Sequence, residues 1–177
     1  MHSKRSRLLC CVMAAFSLGS ASAFAESESR TVQVSATILP RLELSVTPAT
    51  GSSIAFGAVT QPAPGDQAAP SVAVTLSVFS NLDRPHHVTQ MIRRPLTNAQ
   101  GAAIPDPQFL VTTHDAALGQ LGALTPTPVV PGAPTTLYWS NARGKSDAFT
   151  ADYRLNVTPT TPAGDFGTEI VYTVTSL

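Results

Sequence analysis

The chain has 177 residues, 15 prolines, 12% charged residues and a formal net charge of zero. That length suits one domain, and balanced charge gives no electrostatic case for nucleic acid or an anionic membrane as partner. Its two cysteines, Cys10 and Cys11, are adjacent near the start and leave nothing to staple a small fold.

Residues 1–25 read as a secretory signal peptide. Lys4, Arg5 and Arg7 form a positive start, and residues 8–18 are an apolar run too short to span a bilayer. Ala23-Phe24-Ala25 is an A-x-A cleavage site. Leu8-Leu9 before the cysteines do not fit a lipoprotein signal. Cleavage removes both cysteines and three bases, leaving a mildly acidic mature chain with no disulfide. About 150 residues bury a usable core unaided. The expected destination is the periplasm or beyond.

Thr31-Val32-Gln33-Val34-Ser35-Ala36-Thr37-Ile38 alternates polar and apolar side chains without a miss. Successive strand residues point to opposite faces, so the run predicts a strand with one apolar face. Pro40 ends it, having no N–H to donate. Further strands are expected at 42–46, 53–59, 72–79, 87–93, 108–113, 135–140, 149–158 and 168–175, with turn chemistry between them. Residues 61–70 and 125–134 are proline-rich and read as extended loops; 116–123 reads as a loop or single helical turn. Nothing reads as a long amphipathic helix. Short strands at this spacing predict an all-β sandwich without a second domain.

Candidate chemistry is sparse. His86-His87 follow Pro85 and would point to opposite strand faces, so they read as a solvated turn pair rather than a chelate. His114-Asp115 has the residue types of half a catalytic dyad, but it lies at a strand end and no G-x-S-x-G elbow completes it, so no catalytic role is expected. Gly119-Gln120-Leu121-Gly122 lacks the lysine of a phosphate cradle. Arg93-Arg94 reads as a solvated edge rather than a sugar or lipid-headgroup contact. Trp139 beside Tyr138 offers a sugar-stacking platform, but aromatics on a sandwich strand are more often core, where both are expected. The sequon Asn156-Val157-Thr158 falls mid-strand and reads as chance. No enzymatic activity, metal or cofactor is expected.

Both ends of the mature chain resemble one family. Residues 31–40 are similar to the N-terminal strand of alternate chaperone–usher pilins of the colonisation-factor type, an alternating V-x-V-T-A-x-V-x-P run followed by an apolar strand; Leu42, Leu44 and Val46 fit that continuation. Pro162-Ala163-Gly164-Asp165-Phe166-Gly167 and the strand after it resemble the family's closing P-x-A-G-x-Y-x-G turn, with Phe166 where the family prefers Tyr. The resemblance is specific at the two ends and faint between about residues 57 and 155.

It implies an immunoglobulin-like β-sandwich lacking one strand, with 26–40 as an N-terminal donor-strand extension and 41–177 as the pilin-like domain. It also implies a fimbrial subunit that polymerises by donor-strand exchange and supports adhesion. The apolar side chains Val32, Val34, Ala36 and Ile38 would enter the groove of another subunit. Ile170, Tyr172 and Val174 of the C-terminal strand would meet a periplasmic chaperone. The implied partners are other copies or related pilins, that chaperone, an outer-membrane usher, and a host receptor or surface; the implied location is the cell-surface fimbrium. Periodicity leaves a second reading open: residues 31–38 as the first strand of a complete sandwich, in a secreted or periplasmic immunoglobulin-like binding or coat module.

Overall fold

Side-chain alternation decides which residues meet in the core of this computed structural model, which describes residues 30–177. Strand β1 (Leu42–Pro48) is followed by β2 (Ser71–Ser80), where Val74, Leu76 and Val78 are buried and Thr75 and Ser77 are exposed. Strand β3 (His86–Ile92) alternates just as regularly, with Val88, Gln90 and Ile92 buried. A one-turn 3-10 helix (Asp106–Gln108) leads into β4 (Phe109–His114). Two-residue strands β5 (Gln120–Leu121) and β6 (Thr127–Pro128) precede β7 (Thr135–Trp139), β8 (Asp147–Leu155) and β9 (Ile170–Ser176).

The strands form two antiparallel sheets of a β-sandwich, in the orders β1-β2-β8-β4-β6 and β5-β7-β3-β9. The inner faces interlock through aromatics. Tyr138 of β7 stacks on Phe149 of β8 with ring centroids 5.0 Å apart, and Phe109 stacks on Tyr153 at 5.7 Å. Burying each such large apolar side chain stabilises by roughly 1.5–3 kcal/mol, so the central strands carry most of the core. Among the described residues no helix is long and apolar enough to cross a membrane.

Contacts divide the chain into Met1–Thr37 and Ile38–Leu177. The signal expected at 1–25, with Cys10 and Cys11, lies outside the described residues. Residues 31–37 belong to the first unit and join no ladder, unlike the strand their alternation predicts. Residues 53–59 also differ from expectation: they form no strand. Ile54, Phe56 and Val59 nonetheless pack on the core; over 53–57 the faces alternate without a pairing partner, and the exposed pair Gly57-Ala58 breaks the phase before Val59.

Two local readings need correction. His86 is fully buried at the start of β3, not solvated in a turn; its N–H donates to Ser140 Oγ and its carbonyl accepts from Ser140 N–H. Trp139 is 42% exposed rather than core. The cause is a register shift between Val88 and Thr89, which pair with Tyr138 and Thr136 respectively. Leu137 and Tyr138 are both buried as a result, and the next residue faces outward.

Candidate functional site

The two outermost long strands are only half closed. Leu42 and Leu44 of β1 and Ile170, Tyr172 and Val174 of β9 are partly buried, whereas the inward residues of β2, β3 and β8 are almost wholly buried. β9 pairs with β3 along one edge. No described strand pairs with its other edge. Along that side runs a cleft of about 1110 Å³, bordered by Val46 and Pro48 of β1, by residues 52–59, and by 161–170 with Tyr172. Its floor is core: Val74, Leu96, Ile104, Phe109 and Leu155.

One wall of this cleft has unpaired backbone. No backbone hydrogen bond joins residues 53–59 to another described residue. Phe56 is held instead by its ring, edge-on to Phe109 at 6.3 Å. The left-handed Gly51 (φ 65°) turns the chain from β1 into this segment. Gln61 fixes its far end by donating its amide to the carbonyls of Pro159 and Thr161, the latter at 3.3 Å. An extended apolar segment anchored at both ends, a free strand edge and an exposed patch of core therefore line one groove.

A polar chain runs from this groove into the core. The Tyr172 hydroxyl donates to Tyr153 Oη at 2.8 Å, and Tyr153 donates to Gln90 Oε1. Burial pushes the Tyr172 phenol up to about 12, partly offset by its bond to Tyr153. Burial and the neighbouring Tyr172 push Tyr153 further up. Both phenols are neutral donors at any physiological pH.

Of the expected donor residues, Val32, Val34 and Ala36 lie in the first unit and are exposed, the two valines by 80% and 90%. Ile38 opens the second unit and is 85% exposed. The chain is clamped directly behind it. Asn81 donates its amide to the Leu39 carbonyl at 2.9 Å and accepts the Arg41 N–H at 2.6 Å. Ile170 and Tyr172 line the groove; Val174 packs on the core further along β9.

The other candidates resolve as follows. His114 bridges two carboxylates, with Nδ1 2.6 Å from Asp115 Oδ2 and Nε2 2.9 Å from Asp152 Oδ2. The Asp115 hydrogen bond raises its pKa against slight desolvation, and Asp152 adds to the rise. Both ring nitrogens are thus engaged by carboxylates, and among the described residues no hydroxyl or thiol is hydrogen-bonded to the ring. Burial and nearby His87 lower the pKa of His86, with Asp147 opposing weakly. Arg93 and Arg94 are exposed. Asn156 sits just past β8, its N–H held by the Gln108 carbonyl at 2.7 Å. Among the described residues no group of three or more His, Cys, Asp or Glu is placed to hold a metal.

A scan against protein-family models returns no match, and neither does a search of curated proteins. The groove was partly readable in advance. Turn chemistry around them marked 53–59 and 168–175 as strands, but nothing in the sequence said that these two stretches border one cleft.

Proposed function

We propose that this protein is a structural subunit of a surface fibre, assembled by β-strand addition in the manner of the chaperone–usher pilins its two ends resemble. The carrying observation is the pair of unpaired edges on one groove: the free side of β9 and the extended, unbonded residues 53–59. An extended segment laid between them would pair its backbone with β9 and cover the core beneath with alternate side chains. The domain is then an immunoglobulin-like sandwich short of one strand.

The occupant is residues 31–38 of another copy. Val32, Val34, Ala36 and Ile38 share one strand face and suit an apolar floor. Full burial of a Val or Ile contributes ~1.5–3 kcal/mol, so even partial burial of these groups holds a neighbour firmly. Such head-to-tail contacts do not close, so they propagate as a filament. Until another copy fills the groove, a periplasmic chaperone supplies the missing strand, and an outer-membrane usher passes the subunit outward to the fimbrium.

Two variants test this. Deleting residues 31–38 should leave a subunit that folds with its chaperone but forms no fibres. Grafting 30–40 after Leu177 through a flexible linker should give a strongly stabilised monomer, with new hydrogen-exchange protection at Tyr172, Val174 and residues 53–59, since the Val171 and Thr173 N–H groups already face β3. If 41–177 alone is as stable and as monomeric as the graft, the sandwich is complete without a donor and the proposal fails.

A further inference from the structure

We propose that the outer face of the β5-β7-β3-β9 sheet is a binding platform for a neutral saccharide, centred on Trp139. The inference does not rest on the fibre reading, since it uses outward side chains and the groove uses inward ones. Trp139 pairs with Gln120 on one side and His87 on the other, and His87 pairs with Thr175. Residues directly opposite across strands share a face. Gln120, Trp139, His87 and Thr175 therefore form one row across all four strands. Tyr138 and Val88, their sequence neighbours, are fully buried, which fixes this row as outward. A second row beside it is threonine: Thr136, Thr89 and Thr173.

The geometry around the indole favours a flat, open face. A Cβ on Gly122 would lie 2.0 Å from the Thr136 carbonyl oxygen and 3.0 Å from Trp139 Cζ3. Only glycine lets that strand pass so close, and the indole edge rests where a side chain would stand. Packing against a cross-strand glycine explains why the ring is held; it leaves 42% of the residue in solvent.

A pyranose presents a face of C–H groups and a rim of hydroxyls. The first stacks on an indole, and the second needs uncharged donors and acceptors. Both rows offer these: a Gln amide, an imidazole and several Thr hydroxyls. Neither row contains Asp, Glu, Lys or Arg. That composition favours a neutral glycan over a sialylated or phosphorylated one. Three strand spacings give the row a length of ~14 Å, room for a short oligosaccharide.

Trp139 is the chain's single tryptophan, so its emission reads the site directly. The full chain is titrated with maltotriose, cellotriose, chitotriose and N-acetyllactosamine. At least one should shift or quench the emission saturably at millimolar concentration. Gln120→Ala and Thr175→Ala should weaken that response several-fold with an unchanged urea midpoint. The proposal is overturned if no sugar changes the emission, or if both variants respond like the parent. It is also overturned if emission changes with protein concentration alone, since a second copy then covers the platform.

Discussion

Tyr172 on the open strand β9 donates its hydroxyl to Tyr153 on β8 at 2.8 Å, a bond that ties one sheet to the other beside the groove. Tyr153 passes the chain on to Gln90, whose Nε2 has no partner among the described residues. Tyr172→Phe removes one hydrogen bond at a half-buried position and should cost about 0.5–1.5 kcal/mol. Tyr153→Phe strands the fully buried Gln90 amide and should cost more, about 1–3 kcal/mol. Urea unfolding of both variants checks the order, and a Tyr172→Phe loss exceeding that of Tyr153→Phe contradicts it.

Assembly should depend on one face of residues 31–38. Val34→Asp buries an unpaired carboxylate in the neighbour's groove and should abolish fibres. Gln33→Asp places the same charge on the opposite face and should leave fibre yield near normal. Equal loss in both variants would point to charge alone and not to an inserted strand.

The two histidines should bend the pH profile in opposite directions. His114, raised by Asp115 and Asp152, binds its proton more tightly in the folded state. Its contribution is complete below the unfolded value of 6.5 and is lost as pH rises through the higher folded pKa. His86, lowered by burial, His87 and weakly opposed by Asp147, binds its proton less tightly when folded. Its effect is a loss of stability as pH falls below 6.5. Stability against pH should therefore lose its decline above 6.5 in His114→Asn and its acid-side decline in His86→Leu. Parallel profiles for both variants and the parent would refute the assignment.

Asp147 is a structural anchor for the loop before β5. Its carboxylate accepts N–H from Leu118 at 2.8 Å and Gly119 at 3.0 Å, and the Tyr138 hydroxyl at 2.9 Å. Burial pulls its pKa up, but these bonds and the Ala148 N–H outweigh burial and hold it below the ordinary value. Its contribution is thus present above pH 3.8 and lost as pH falls through the depressed folded pKa. Asp147→Asn should cost about 1.5–3 kcal/mol at neutral pH, and its penalty should shrink in acid. A penalty independent of pH would mean that the charge is not what holds the loop.

Much of the fold was legible because burial on a strand has period two. β2, β8 and β9 follow their sequence alternation closely, with Val74, Leu76 and Val78 inside and Tyr153 and Leu155 inside. Pairing is less legible, since it relates segments far apart in the chain. Residues 53–57 carry a strand's alternation but have no ladder partner among the described residues. Trp139 was misplaced for a different reason: one extra residue at the β3–β7 register shift moves every later side chain to the other face. His86 was misread because Pro85 suggests a turn, whereas the strand begins directly after it. Of the proposed sites, the donor face could be read locally. The groove and the saccharide row depend on cross-strand registers that no local pattern encodes.

The groove's walls come from distant parts of the chain, β1 at Leu42–Pro48 and β9 at Ile170–Ser176. Closing a loop of that length costs entropy before any contact repays it, so such architecture forms slowly. The cleft is consequently among the last features to mature. In the proposed fibre a newly made copy would then give before it could receive, and growth of a chain of subunits would acquire a built-in direction in time.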